Sequence, residues 1–154
     1  MSWTRRLQKE LKGLQEAPPV GISLASFGDG QSITEGGWIL DMVGAEGSLY
    51  SEERFQLRFT FTDTYPMEAP IVVFVGTAPV HEHIYSNGHI CLNVLTDDWS
   101  PALTVEAVCL SIQSMLSSAT VEQKVRPKDD TRYTRLKGIG SPKDTKWAFH
   151  DDGV

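Results

Sequence analysis

Long apolar runs and a set of cysteines are both missing from this sequence, and each absence excludes a class of protein. No run approaches the roughly eighteen apolar residues that cross a bilayer, and no apolar segment of the signal-peptide kind follows Met1. Two cysteines, Cys91 and Cys109, are too few for a disulfide framework in a chain of 154 residues. We therefore expect an intracellular protein, in the cytoplasm and nucleus, that binds no membrane and keeps both cysteines as thiols.

An excess of positive charge is missing too. The 14 lysines and arginines are outnumbered by 20 aspartates and glutamates, and the resulting net charge of −6 argues against general nucleic-acid binding. The length suits one domain with one core, without repeats. From Ala119 onwards charges of both signs are dense, and prolines and glycines interrupt any apolar period. We predict a core over residues 1–118 and a charged, loosely ordered or only partly helical C-terminal tail over residues 119–154.

Two amphipathic helices are predicted within the core. Near the N-terminus Leu7, Leu11 and Leu14 recur at helical spacing, and two consecutive prolines end the pattern. The second helix starts after Thr104, a suitable N-cap, and carries an apolar stripe. Cys109 lies on that stripe, which predicts a small buried hydrophobic residue.

Four strands are predicted between the two helices. The clearest is RFQLRFTFT, in which apolar and polar residues alternate with the period of a strand that has one buried face. Short links between the segments favour an antiparallel meander, and the predicted strands cover residues 21–27, 38–43, 54–62 and 69–76. The expected fold class is α+β, with an N-terminal helix, a four-stranded antiparallel meander, a long loop and a central helix.

The loop sequence HEHIYSNGHICLNVL, residues 81–95, contains three of the four histidines and one of the two cysteines. A metal site would use His81, His83, His89 and Cys91, which are suitable zinc ligands. Their spacing, H-x-H-x5-H-x-C, differs from the usual structural zinc patterns, although strand alternation would place the last two on one face.

Two other interpretations of this loop stay open on the residues alone. Asn87-Gly88 is a strong turn signal because both residues tolerate positive φ, so the loop can be an ordinary hairpin with polar histidines. Alternatively Cys91 is a nucleophile, which requires partial exposure and a thiol pKa below its usual value of about 8.5.

Several motifs in this order resemble the ubiquitin-conjugating enzyme family. They are YPMEAP, then HEH in place of a His-Pro-Asn motif, then GHICL, then WSPAL before the second helix. Cys91 follows His83 by eight residues, as the catalytic cysteine follows the last residue of that motif in the family. The resemblance runs from Arg6 to about Ser118, and it implies the family fold with an active-site loop between the meander and the central helix.

The resemblance also implies a reaction and its residues. Cys91 would accept ubiquitin as a thioester from the ubiquitin-activating enzyme, in an ATP-dependent pathway, and pass it to an amine. His83 would either donate to the oxyanion or shape the loop, and Asn93 would lie at the catalytic site. Asn87 and His89 would line the groove for the ubiquitin tail, with a turn role also open for Asn87.

Partners follow from the same resemblance: ubiquitin, the activating enzyme, RING or U-box ubiquitin ligases and protein substrates. No metal or other cofactor and no nucleic acid are implied. Residues that match the docking positions for the activating enzyme and the ligase are Arg5, Arg6, Lys9, Met67, Ser100, Pro101 and Ala102.

A His in place of the motif's Asn, the run YSNGHICL and a short tail ending in KW…HDD together resemble one subtype of the family, W, and this resemblance implies attachment of a single ubiquitin to the α-amine of flexible protein N-termini. Glu82 and His83 replace the motif's Pro and Asn, and Asn93 stands where an acid is common. At neutral pH about one lysine amine in a thousand is uncharged, against roughly a quarter of α-amines, so an α-amine needs less help from a carboxylate. Glu82, Asp97 and Asp98 are near Cys91 in the sequence and could supply the negative charge that Asn93 does not. A lysine-directed enzyme and a catalytically silent binding module are the alternatives.

Overall fold

A four-stranded antiparallel sheet with helices packed against it forms the body of the protein. The computed structural model describes residues 3–27, 32–137 and 140–144. Its elements are α1 (Trp3–Glu16), β1 (Ile22–Phe27), β2 (Trp38–Val43), β3 (Arg54–Thr60), β4 (Ile71–Val75), α2 (Val105–Ser117) and α3 (Asp130–Lys137). The strand order β1-β2-β3-β4 confirms the predicted meander. No helix of the described ranges is long and apolar enough to span a bilayer.

The core lies between one face of this sheet and α2. In β3, Phe55, Leu57 and Phe59 are buried and alternate with more exposed residues, as the period-two pattern predicts. Strand β2 has the predicted bounds, whereas β3 and β4 are one or two residues shorter at their ends than the apolar runs indicate. Phe61, beyond the end of β3, still contributes to the core by packing edge-on against Trp38.

Helix α2 confirms both predictions made for it. The Thr104 hydroxyl accepts a hydrogen bond from the amide of Ala107, which is the geometry of an N-cap. Cys109 is completely buried, and that burial raises the pKa of its thiol to about 12. A thiol in that state is a packing residue and a poor nucleophile.

The tail, predicted to be loosely ordered or only partly helical, is helical over α3 and makes specific contacts with the body. The ammonium group of Lys124 binds the Glu53 carboxylate at 3.0 Å and lies over the ring of Tyr50. The Arg126 guanidinium donates to the carbonyls of Ala78, Pro79 and Ile84. These cations hold residues 119–137 against the body, because each meets several acceptors at once. The parts of the tail at 138–139 and 145–154 lie outside the described residues.

Candidate active site

Cys91 lies on a short antiparallel hairpin that follows β4. The amide of Cys91 donates to the His83 carbonyl at 2.8 Å, and the amide of Tyr85 donates to the His89 carbonyl at 2.9 Å. These two bonds flank the pair formed by Ile84 and Ile90, whose side chains are buried in the core.

Alternation along the two strands of this hairpin decides which side chains meet. Because Ile84 and Ile90 point into the core, the side chains of His83, Tyr85, His89 and Cys91 lie on the other face. Cys91 stands directly opposite His83 and diagonal to Tyr85. The structure therefore brings together the thiol, two of the predicted histidines and a tyrosine that sequence reasoning did not single out.

The turn of the hairpin is the one that Asn87-Gly88 predicts. The Asn87 side-chain oxygen accepts from the amide of His89 at 3.1 Å. Gly88 has φ of 92°, and a Cβ there would lie 2.1 Å from the carbonyl oxygen of Phe74. The Phe74 amide also donates to the Gly88 carbonyl at 3.0 Å, so a glycine is needed for the hairpin to lie this close to β4.

The metal interpretation finds no support in the part of the chain that the structure describes. No group of three or more His, Cys, Asp or Glu side chains there is arranged to hold a metal ion. The ring nitrogens are used within the protein: Nδ1 of His81 accepts from the His83 amide at 3.0 Å, and Nδ1 of His89 lies 2.7 Å from the Tyr133 hydroxyl. The hairpin interpretation is compatible with this arrangement, whereas Cys91 is 7% exposed and therefore buried, where partial exposure was expected of a nucleophile.

His83 is held close to the hairpin backbone and is 4% exposed. Its Nε2 lies 3.6 Å from a carboxylate oxygen of Glu82, and its ring lies 5.3 Å from the ring of His81. Glu82 is fixed in turn, because its Oε1 accepts from the side chain of Gln123 and its amide donates to the Gln123 carbonyl. His83 lies opposite Cys91 across the hairpin, and its role toward an oxyanion stays a prediction.

Asn93 begins a 3-10 turn (Asn93–Leu95) just beyond Cys91. Its side-chain amide donates to Asp98 at 2.7 Å, so one oxygen of that exposed carboxylate is already engaged. A groove of about 450 Å³ runs between this turn and α2, where Leu110 and Ser114 line it.

The start of α3 covers the other side of the hairpin. The Tyr133 ring stacks on Tyr85 at 3.7 Å, and the Tyr85 hydroxyl donates to Asp129 at 2.9 Å. Asp130 accepts from the amide of Ser86 at 2.8 Å. Burial raises the pKa of Tyr85, with a further contribution from Asp129 and a smaller one from Cys91. The phenol therefore stays protonated at neutral pH.

His89 is enclosed by the same segment. Burial lowers its pKa, against a smaller opposing effect of a hydrogen bond with the Gly140 backbone, so the ring is held in its neutral form. Sequence reasoning missed Tyr85, Asp129 and Tyr133, because the tail has no apolar periodicity and these contacts join positions 44 residues apart.

The predicted docking residues on α1 divide into two groups. Arg5 and Lys9 have exposed side chains, as a docking face requires. Arg6 differs, since its guanidinium binds Glu10 at 2.8 Å and the Leu103 carbonyl at 2.8 Å within the protein. The Arg6 side chain is 21% exposed, and its docking role stays a prediction, as do those of Arg5 and Lys9.

The second predicted docking surface is exposed as expected. Met67 is 74% exposed, and Ser100, Pro101 and Ala102 are exposed on the neighbouring loop. The indole N–H of Trp99 donates to the Pro66 carbonyl at 2.9 Å, and this bond connects the loop of Met67 to the loop of Ser100. Binding of a ligase at this surface stays a prediction.

Comparison with known proteins places this architecture and this loop in one family. The model of the family "Ubiquitin-conjugating enzyme" matches residues 6–138. The chain is 50% identical to the probable ubiquitin-conjugating enzyme E2 W of Dictyostelium discoideum, over 99% of this chain and 97% of that protein. It is 53% identical to the probable ubiquitin-conjugating enzyme E2 W-A of Danio rerio, over 98% and 97%.

Solved structures agree. The crystal structure of ubiquitin conjugating enzyme E2 UbcA1 from Agrocybe aegerita superposes with a TM-score of 0.79 at 42% identity, covering 90% of this chain and 96% of that one. The relatives that carry the W designation confirm the subtype resemblance seen in the sequence. The chain therefore belongs to the ubiquitin-conjugating enzyme family and is a thioester-forming transferase.

Proposed function

We propose that Cys91 carries ubiquitin as a thioester and delivers a single ubiquitin to the α-amine of flexible protein N-termini. A RING or U-box ligase, bound at the loops of Met67 and Ser100, would assist, in the cytoplasm and nucleus. The observation that carries the proposal is Asn93, an amide two residues beyond the thiol, which hydrogen-bonds Asp98 at 2.7 Å. A carboxylate at position 93 would help a lysine to react, but Asn93 is neutral. The nearby carboxylate of Asp98 is already hydrogen-bonded to the Asn93 side chain.

The acid–base chemistry of the two acceptors supports this preference. The attacking nitrogen must be uncharged, and at pH 7.4 about a thousandth of lysine amines meet that condition against roughly a quarter of α-amines. A lysine therefore gains from a carboxylate that orients it and strips it of water, whereas an α-amine gains much less. Replacing an acid with Asn93 penalises the lysine more than the α-amine.

Besides the amine that accepts ubiquitin, the reaction needs a hydrogen-bond donor to the carbonyl oxygen of the thioester. When nitrogen attacks the carbonyl, negative charge collects on its oxygen, and a fixed donor nearby lowers the barrier. His83 stands across the hairpin from Cys91 with its amide anchored on His81. A ring N–H of His83 is the side-chain donor that we assign to this oxygen.

Single-turnover discharge tests the proposal. The protein is charged with activating enzyme, ATP and ubiquitin, then chased with two peptides of one sequence. One peptide has a free α-amine and an acetylated lysine, the other an acetylated N-terminus and a free lysine. We expect discharge to the first alone. Cys91→Ala should abolish the thioester, and Cys109→Ala, which removes the buried cysteine of α2, should retain it.

Three results would contradict the proposal at different levels. Discharge to lysine as fast as to the α-amine would leave the nucleophile in place and remove the specificity. A thioester that survives Cys91→Ala would reject the nucleophile, and no thioester at all would favour a silent binding module. Asn93→Asp adds a reciprocal test, because it should raise the lysine rate relative to the α-amine rate.

A further inference from the structure

Residues 126–137, the part of the tail that packs on the catalytic hairpin, carry an excess of positive charge in a protein whose net charge is −6. They include five of its 14 lysines and arginines and two of its 20 acids. Both acids are bonded to the hairpin, since Asp129 accepts from the Tyr85 hydroxyl at 2.9 Å and Asp130 from the Ser86 amide at 2.8 Å. The negative charge of the segment is thus directed to the hairpin, and the remaining charge is positive.

Three cations of this segment have exposed side chains, namely Lys128, Arg132 and Arg135. Among the described residues, none of these three side chains is hydrogen-bonded or ion-paired. Arg126 differs, because its guanidinium donates to the backbone carbonyls of Ala78 and Pro79. The exposed cations therefore keep their donors for an anionic ligand.

Arg132 lies on the same side of the helix as Asp129. The Asp129 carbonyl accepts from the Tyr133 amide at 2.8 Å, so helical hydrogen bonding begins at Asp129. Asp129, Arg132 and Leu136 follow one another at positions i, i+3 and i+7, which places them along one side of α3. Leu136 is 67% exposed. This side of the helix thus continues from Asp129 into an exposed cation and an exposed apolar side chain, and we call Arg132 and Leu136 the α3 stripe.

The α3 stripe begins close to the thiol. Tyr85, whose hydroxyl bonds to Asp129, is the diagonal partner of Cys91 across the hairpin, and such partners lie about 7–8 Å apart at Cα. Arg132 is nearly one helical turn beyond Asp129, a rise of about 4.5 Å. A peptide that extends from Cys91 along this side therefore meets Arg132 after roughly 10–15 Å, which at about 3.3 Å per residue is about its third to fifth residue.

The α3 stripe also has the spacing of an extended peptide. Arg132 and Leu136 are four helical residues apart, about 6 Å along the axis. Side chains on one face of an extended chain recur at every second residue, about 6.6 Å apart. An extended acceptor can therefore place one side chain at Arg132 and the next side chain of the same face at Leu136.

We propose that the α3 stripe binds the N-terminal segment of the acceptor and favours an acidic side chain at about its third to fifth residue. Arg132 binds the carboxylate, Lys128 adds positive charge nearby, and Leu136 contacts an apolar side chain two residues further on. This inference rests on the proposed function and deepens it by naming the chemical class of N-terminus that is preferred. Exposed ion pairs are weak and are screened by salt, so the stripe biases the choice among N-termini and is not required for transfer itself.

A set of lysine-free peptides with free α-amines tests the preference by single-turnover discharge. The peptides share one flexible sequence and carry glutamate, glutamine or arginine at the positions that face Arg132, because arginine supplies a cation that does not accept ubiquitin. With peptide below saturation, we expect glutamate to react about threefold or more faster than glutamine, and arginine to react slowest. The differences should shrink at about 0.5 M salt, where exposed charges are screened.

Charge reversal on the helix identifies the group responsible. Arg132→Glu should react faster with the arginine peptide than with the glutamate peptide, which inverts the wild-type order. Arg135→Glu is the matched control, since it makes the same change in net charge at another exposed arginine of α3. Arg135 is about 160° around the helix from Tyr133, which packs on the hairpin, so this variant should keep the wild-type order. A merely structural effect of Arg132→Glu would slow every peptide without inverting their order.

Leu136→Ser tests the apolar end of the stripe. In the wild type, leucine two residues after the glutamate should raise the discharge rate about twofold or more over serine at that position. Leu136→Ser should respond much less to the same change in the peptide, and an equal response would overturn the assignment of Leu136.

The results distinguish this inference from the proposed function. A wild-type enzyme that discharges to lysine alone contradicts the proposed function. A wild-type enzyme that discharges to the α-amine of the glutamate and glutamine peptides at equal rates overturns the inference and leaves the function standing. Identical behaviour of Arg132→Glu and Arg135→Glu also overturns it, because net charge alone then sets the order of the peptides.

Discussion

Glu10 joins three separate elements, and its replacement by glutamine should weaken the protein markedly. Its Oε2 accepts from the Arg6 guanidinium at 2.8 Å and from the Tyr65 hydroxyl at 2.6 Å, while its Oε1 accepts from the Val105 amide at 2.7 Å. The Glu10 side chain is 6% exposed. Through it α1 is bound to the loop before Met67 and to the first residue of α2.

The size of the effect follows from the three donors around this carboxylate. Both oxygens of Glu10 face donors, so the amide of Glu10→Gln turns its NH2 group toward a donor whichever way it is oriented. At least one hydrogen bond to a charged group is lost, worth about 1.5–3 kcal/mol, and a donor is left unsatisfied. We expect the free energy of unfolding to fall by about 3 kcal/mol. For 154 residues this lowers Tm by about 6–12 °C.

Urea unfolding, followed by tryptophan fluorescence, measures this loss. Lys9→Gln is the matched control, because it changes a neighbouring exposed side chain on the same helix and should stay within about 0.5 kcal/mol of wild type. A Glu10→Gln protein as stable as the Lys9→Gln protein would refute the network that the distances describe.

A second measurement connects Glu10 to ligase action. Because the carboxylate holds both the Tyr65 loop and the start of α2, its loss should loosen the surface of Met67 and Ser100. At a temperature where both proteins are folded, Glu10→Gln should therefore reduce the acceleration by a ligase more than the rate without ligase. An unchanged ratio of the two rates would show that the network stabilises the fold without supporting docking.

Three further changes test the hairpin and α2. Gly88→Ala should lower the free energy of unfolding by at least about 3 kcal/mol in urea, because its Cβ meets the Phe74 carbonyl at 2.1 Å and φ is 92°; a loss below about 1 kcal/mol would contradict this. The pKa of His89 is lowered in the folded protein, so its contribution to the free energy of unfolding should be independent of pH above the unfolded pKa of about 6.5. As the pH falls from there toward the folded pKa, the free energy of unfolding should decrease. His89→Gln should flatten that decline between pH 7.5 and 5 in urea titrations, and an unchanged slope would argue against a neutral ring bound to Tyr133. Thr104→Ala should lower the free energy of unfolding by about 1 kcal/mol, measured by thermal melting, because it removes the N-cap of α2. An unchanged melting temperature would show that the cap does not stabilise the protein.

Local patterns in the sequence were sufficient for the elements of the fold. The alternation in β3 and the apolar stripe of α2 arise because each element buries one face, and burial leaves its period in the sequence. Thr104 was recognisable as a cap, since its partner is three residues away. The Asn87-Gly88 turn was equally local, because its geometry depends on adjacent residues.

Contacts over long sequence separations account for what was missed at the site. Tyr85 and Asp129 are 44 residues apart, and Glu10 reaches Val105 across 95 residues. No periodicity in the sequence marks such pairs. A tail rich in positive and negative side chains is therefore predicted to be exposed to solvent when its contacts are unknown. The internal bonds of Arg6 were missed for the same reason, since Leu103, which accepts its second hydrogen bond, is distant in sequence.

The two halves of the reaction depend on different parts of the chain. The backbone bonds of Cys91 and the pair formed by Ile84 and Ile90 belong to the hairpin, so formation of the thioester should depend mainly on residues 81–92. The tail covers Tyr85 and His89 through Tyr133, so deletion of the tail would expose two buried rings and disturb the hairpin as well. A truncated protein would therefore confuse loss of structure with loss of acceptor choice. Single changes at exposed tail residues leave the Tyr133 packing intact, and only these can show whether the acceptor is chosen by the tail.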